Sequence, residues 1–187
     1  SRKLNDRLQG AKLAAEEQAA TDTLTGLQNR RAADRILERH TSEDRGFALM
    51  QLDLDFFKSV NDTKGHAAGD HVLQQVAKVM RAETRKGDMI ARVGGDEFMI
   101  LIENEVSNEV LADIARRLIA GIEKPIMFDG AECNVSASIG IALNDASMGL
   151  GPEEIMQHSD QALYASKEKG RACATFYDEI RAKSGAA

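Results

Sequence analysis

Residues 94–98 read Gly-Gly-Asp-Glu-Phe, set between the apolar runs Met89-Ile90-Ala91 and Phe98-Met99-Ile100-Leu101-Ile102. A Gly-Gly pair between such runs predicts a tight hairpin, because glycine reaches positive φ without strain. Its tip would carry two adjacent carboxylates, Asp96 and Glu97, beside Gly94 and Gly95, whose bare backbone something bulky can approach. That combination suits a divalent cation and a phosphate ligand. A second acidic stretch, Asp53-Leu54-Asp55, closes the apolar run 47–52. Ending a buried strand in two carboxylates is costly unless a cation or a donor meets them. Strand alternation puts Asp53 and Asp55 on one side. Phe56-Phe57-Lys58 then reads as the opening of a helix, where free N–H groups face anions. In this reading Asp53 holds the metal, the amides of Phe56 and Phe57 meet phosphate oxygens, and Lys58 meets charge that develops during transfer. The plainer alternative makes Asp55 a helix cap and Lys58 a solvated cation; the Gly94 turn weighs against it.

The elements that must position these groups follow from periodicity. Residues 1–20 carry Leu4, Leu8, Ala11 and Ala15 at helical spacing. They are expected to be a helix that packs on its own domain or ends a coiled coil. Helices are predicted over 29–40, from 56 to about 61, over 69–81, over 108–122 with Val110, Leu111, Ile114, Leu118 and Ile119 inward, and over 152–167, where Pro152 suits a first turn. Strands are predicted at 47–52, on both sides of Gly94, at 134–143 and at 174–177. The order is an α+β fold, with helices over a mostly antiparallel five-stranded sheet. Residues 183–187 read as a loose tail.

A net charge of −6 excludes bulk electrostatic binding to nucleic acid or to anionic lipid. It does not exclude a nucleotide neutralised by magnesium. Cys133 and Cys173 lack metal-site spacing and read as reduced core thiols of a cytosolic protein. No run reaches the ~20 apolar residues of a membrane helix, and no secretory signal opens the chain; it could still be a piece of a larger membrane protein. Met50, Met80, Met99 and Met156 are expected as core filler, and His40, His71 and His158 are assigned no role.

The chain resembles the GGDEF domains, the catalytic domains of diguanylate cyclases. The resemblance covers roughly residues 21–178, with residues 1–20 as an N-terminal linker helix and 179–187 as a tail. It rests on residues 22–31 (DTLTGLQNRR), residues 53–58 (DLDFFK), Asn61-Asp62, Gly65-His66, Gly69-Asp70, the stretch from Gly94 to Phe98, Ser138-Ile139-Gly140, Tyr164-Ala165-Ser166-Lys167 and Gly170-Arg171. It implies a ferredoxin-like, nucleotidyl-cyclase palm with an N-terminal signalling helix. The implied reaction joins two GTP into cyclic di-3′,5′-GMP and releases two pyrophosphates. By similarity Asp53, Asp96 and the Leu54 carbonyl bind magnesium or manganese, two ions per site, with Glu97 on the second. Asp96 is also the base for the 3′-hydroxyl, and Lys58 stabilises the transition state. Phe56, Phe57, Gly94, Gly95, Lys167 and Arg171 lie along the phosphates, Asn61 and Asp70 read guanine, and His66 touches substrate. A carboxylate at 70 makes chemical sense, since it accepts from the N1–H and 2-amino groups that adenine lacks in that pattern. Each of these has a plainer reading: His66 as a surface histidine, Asp70 as a cap for a helix starting at His71, Asn61 as a helix end, Lys167 and Arg171 as cations favoured at a helix C-terminus. The family's usual Asn after Gly-Arg is here Ala172.

Residues 85–88 read Arg-Lys-Gly-Asp, five residues before Gly94. In the family this spacing resembles the inhibitory product site, with Arg85 and Asp88 completed by Arg117 or else Arg116. Arginine forks onto phosphate and guanine edges, and aspartate accepts from guanine N–H groups; a solvated loop ion pair is the alternative. The resemblance further implies a homodimer for catalysis, an upstream sensory domain and, since residues 176–181 are similar to linkers, a downstream phosphodiesterase domain. A non-catalytic GTP or cyclic di-GMP sensor is the second function considered. A polymerase palm shares the two-metal logic, but nothing here could hold a template.

Overall fold

A computed structural model describes residues 2–43, 45–104 and 107–185. Its centre is strand β1 (Phe47–Asp55), nearly every residue of which is buried. Both neighbours run antiparallel to it: β3 (Glu97–Glu103) on one side and β6 (Ser136–Asn144) on the other. Outside β3 lies β2 (Met89–Arg92), and outside β6 lies β7 (Ala174–Phe176), the one parallel pairing of the five-stranded sheet. The expected mostly antiparallel sheet is therefore observed.

Helices cover both faces, which is why β1 reads as a continuous apolar run rather than an alternating one. On one face Ala48, Met50, Leu52 and Leu54 pack with α3 (Phe57–Lys64), α4 (His66–Glu83) and α5 (Asn108–Glu123). On the other, Phe47 and Leu49 pack with Ala33 and Leu37 of α2 (Arg30–Ser42) and Ile155 of α6 (Pro152–Glu168). Alternation then sends Gln51, Asp53 and Asp55 toward α6. Helix α1 (Arg2–Ala20) buries no residue, and Leu4, Leu8 and Leu13 are each at least 60% exposed.

Several expectations need correction. Neither Gly94 nor Gly95 has positive φ. The bare positions serve space instead: a Cβ on Gly94 would stand 2.7 Å from Glu97 Oε2, and one on Gly95 would face open space. Helix α4 begins at His66, so Asp70 lies within it and caps nothing. Val110 is 44% exposed; the inward stripe of α5 is Leu111, Ile114, Ala115, Leu118 and Ile122. A hairpin of β4 (Ile126–Phe128) and β5 (Ala131–Cys133) was not anticipated. Residues 183–185 belong to helix α7 (Tyr177–Gly185) rather than to a loose tail, and 186–187 lie outside the described residues. Cys133 and Cys173 are free thiols, as expected.

Candidate active site

The two acidic stretches meet through the backbone. The Leu54 N–H donates to the Asp96 carbonyl at 3.1 Å, and Asp53 stands opposite Glu97 in the β1–β3 ladder. The carboxyls of Asp53 and Asp96 feel each other. Burial first, and then the charge of Asp53, push the Asp96 carboxyl above its ordinary range, against the pull of its own backbone, Lys167 and Arg92. Lys167, from the last turn of α6, closes an ion pair on Asp53.

The carboxylates of β1 divide their work. Asp55 does not cap α3; its side chain is 1% exposed, accepting from Ser138 Oγ at 2.8 Å and from the Ala172 N–H at 3.2 Å, with Arg171 Nε 3.9 Å away. Asp53, at 15% exposure, remains reachable. The cap position of α3 falls to Phe56, which holds a left-handed backbone (φ 66°) and 62% exposure. Phe56 supplies no side-chain cap to α3, which opens just past the end of β1 that carries Asp53 and holds exposed Lys58 in its first turn. A non-glycine residue held left-handed costs of order 1–2 kcal/mol, here at the strand-to-helix bend.

Around the turn, further residues complete a frame that the sequence did not reveal. Arg92 donates to the Gly95 carbonyl at 3.0 Å and pairs with Asp22 at 3.2 Å. Asp22 also holds the N–H and hydroxyl of Thr25. Arg30 Nη1 reaches the Val93 carbonyl at 3.4 Å, and Gln51 Nε2 ties β1 to Ser159 of α6 at 2.7 Å. Arg92 lies two residues before Gly94, and that nearness in the chain was the available signal.

Asn61, His66 and Asp70 gather where α3 meets α4. Gly69 permits the approach, since a Cβ there would collide with the Asn61 side chain and stand 3.3 Å from Phe57 Cζ. His66 and Asp70 are exposed and Asn61 half-buried. Glu97 bends its carboxylate over Gly94. Among the described residues no three Asp, Glu, His or Cys side chains form a ready metal shell. Asp53 and Asp96 offer two carboxylates and Leu54 a carbonyl, all hard oxygen donors of the kind magnesium takes. The like-charge strain on Asp96 and the ammonium drawn to Asp53 both mark a place for positive charge.

Arg85, Asp88 and Arg117 line one cleft of about 370 Å³ with Glu83 and Asp113. Arg117 is held there by Glu83 at 2.7 Å and by Asp113. Arg116 also pairs with Asp113 but lines a different cleft, beside Cys173.

Residues 19–173 match the family described as "Diguanylate cyclase, GGDEF domain". Diguanylate cyclase A of Treponema denticola is 37% identical over 163 residues, 83% of this chain and 43% of its own length. The bifunctional diguanylate cyclase/cyclic di-GMP phosphodiesterase MucR of Pseudomonas aeruginosa is 42% identical over 86% of this chain and 24% of its own. NbdA of the same organism, named a cyclic di-GMP phosphodiesterase, is 37% identical over 93% of this chain and 22% of its own. The chain thus spans less than half the length of these relatives. Among solved structures, the coiled coil and GGDEF domain of DgcB from Caulobacter crescentus, in complex with c-di-GMP, superposes with a TM-score of 0.86 at 30% identity, over 94% of each chain.

Proposed function

The chain belongs to the GGDEF family of diguanylate cyclase domains, and we propose that it condenses two GTP into cyclic di-3′,5′-GMP with loss of two pyrophosphates. The observation that carries this reading is the Leu54 N–H to Asp96 carbonyl bond, which brings the two acidic stretches to one place.

The α3 amides and Lys58 hold phosphate oxygens; Lys167 and Arg171 hold the outer phosphates. Asp70 accepts from the guanine N1–H and 2-amino groups and Asn61 reads the same edge, with His66 beside the substrate. Gly94 and Gly95 leave the turn bare, so the nucleotide lies against backbone. Asp96 accepts the proton of the attacking 3′-hydroxyl. Its raised affinity for protons favours that task, because a base near the operating pH transfers best. Magnesium or manganese, two ions per site, when bound by Asp53, Asp96, the Leu54 carbonyl and Glu97, supplies Lewis-acid stabilisation of the charge spread over the α-phosphate. Each 3′-hydroxyl attacks the other nucleotide's α-phosphorus and pyrophosphate leaves, so two domains must face each other as a homodimer. Product bound at Arg85, Asp88 and Arg117 inhibits by favouring a different domain arrangement. A GTP substrate suits a cytoplasmic domain, α1 ahead of it suits an upstream sensory domain as input, and the bifunctional relative suits a phosphodiesterase domain as neighbour. Among the described residues no helix is long and apolar enough to cross a membrane.

A second reading, a sensor without turnover, is favoured by relatives named as phosphodiesterases. One experiment separates the two: incubate the chain at high concentration with GTP and magnesium, and resolve the nucleotides by mass. The parent is expected to form cyclic di-GMP, and Asp96→Ala to lose at least a hundredfold in rate, in the range typical of a lost general base, while still melting in one cooperative transition. A parent that binds GTP without converting it makes the sensor reading the correct one.

A further inference from the structure

The sequence assigns His40 no role, yet it sits 3% exposed near the end of α2 with both ring nitrogens engaged. Nδ1 lies 2.9 Å from the Ile36 carbonyl oxygen, and Nε2 lies 2.7 Å from Glu103 Oε1. A carbonyl and an ionised carboxylate can only accept. Both contacts are therefore satisfied only when both nitrogens carry hydrogen, that is, when the ring is an imidazolium. The edge-on Phe47 ring, 5.8 Å away between centroids, supplies an apolar wall and no polar substitute.

Glu103 ends β3 and is a hub. Its side chain takes His40. Its own N–H donates to Asp88 Oδ1 at 3.2 Å, and its carbonyl accepts from Arg85 Nη2 at 3.0 Å. The Arg85–Asp88 turn leans on the same carboxylate, with Gly87 (φ 110°) placing its absent Cβ 3.8 Å from Glu103 Oε2. The residue that His40 grips by its side chain thus fixes both Arg85 and Asp88 by its backbone. Among the described residues the charged group facing His40 is Glu103 from β3. Ile36 of its own helix and Phe47 of β1 present neutral groups, and Arg85 and Asp88 stand behind Glu103.

We propose that His40 and Glu103 are positioning residues for the Arg85–Asp88 product site, and that protonation of His40 makes product inhibition stronger on the acid side of neutrality. The proposal rests on the reading of Arg85 and Asp88 as that site. When His40 loses a proton, a ring lone pair faces an oxygen, and a buried unmatched pair is costly. Glu103 is released, the end of β3 loosens, and the arginine and aspartate are no longer held in advance for the ligand.

The test is the affinity of the full chain for cyclic di-GMP, by calorimetry, at about pH 6 and about pH 8.5, the two sides of histidine titration. The parent is expected to bind about three- to tenfold tighter at the lower pH, the size of one buried hydrogen bond. His40→Gln and Glu103→Gln should each bind equally at both values, while initial turnover before product accumulates matches the parent. Affinity that ignores pH in the parent, or pH dependence that survives in His40→Gln, overturns the proposal. Arg85→Ala separates the two layers: parent-like binding there defeats the product-site reading itself, whereas weakened binding alongside a pH-independent parent defeats only the His40 coupling. Should the variants unfold, nitrogen-edited NMR of the parent's histidines decides. A doubly protonated His40 whose signals move when cyclic di-GMP is added supports the coupling; a neutral or unmoved His40 refutes it.

Discussion

The charge on Asp96 is held at a cost, and the cost has a sign. Burial and the neighbouring Asp53 raise its proton affinity in the folded chain. A carboxyl raised in this way leaves stability intact below about pH 4 and removes it as pH climbs through the folded value. In chelator, Asp96→Asn is therefore expected to melt with the parent at low pH and above it near neutrality, the gap widening as pH rises. Magnesium added together with a non-hydrolysable GTP analogue should raise the parent's melting temperature more than the variant's; equal curves at every pH would show that Asp96 carries no such burden. At this scale the sequence was legible for residues whose chemistry is local: paired carboxylates, bare glycines, a lysine after a strand. It was not legible for partners brought in from afar, such as Asp22 on Arg92 or Ser138 on Asp55. Ala172 shows the reverse case. It sits left-handed, at φ 52°, where asparagine is easier than alanine. The family's usual Asn therefore has a backbone reason, and its loss here leaves the Ala172 N–H still on Asp55.

The elements hold the site by close approach. Gly140 of β6 lies under α6, and a Cβ there would run into the Ser159 carbonyl, the Leu163 N–H and the Ala162 carbonyl carbon, 2.8 Å off. These are backbone atoms, so the helix itself must move. Gly140→Ala is expected to cost about 3 kcal/mol, at the top of the overpacking range, read as a shift of the urea midpoint. It should also slow turnover, because α6 carries Lys167 to Asp53. A variant as stable as the parent would mean that α6 can slide freely. Long periodic helices and the apolar strands could be read from pattern alone, because their burial is one-sided or total along a whole element. The β4–β5 hairpin has a strong turn signal in Asp129-Gly130, both of which have positive φ, at 47° and 76°. Its three-residue strands are too short to show a period. Helix α4 starts at His66, ahead of Gly69, which reads as a boundary in the sequence and serves in the fold as a contact with Asn61.

In the whole molecule, α1 stands apart. It buries nothing and touches the domain mainly through its end, where Asn29 donates to the carbonyls of Ala19 and Ala20 and Thr21 to that of Glu17. Removing residues 1–16 should leave the melting temperature within about 2 °C, since little apolar area is lost. If paired helices bring two domains face to face, the truncated chain should form product about tenfold more slowly at low protein concentration and recover as concentration rises. Full activity at every dilution would assign dimer formation to another surface.

Lys167 and Asp53 cancel each other's charge in the chain as it stands. A bare divalent ion arriving there must separate them and then face an ammonium left without an anion, which like charge disfavours. An ion that comes already wrapped in a triphosphate brings the lysine a replacement partner. On the proposed function, this pair favours metal and nucleotide arriving as one cargo over free magnesium arriving alone.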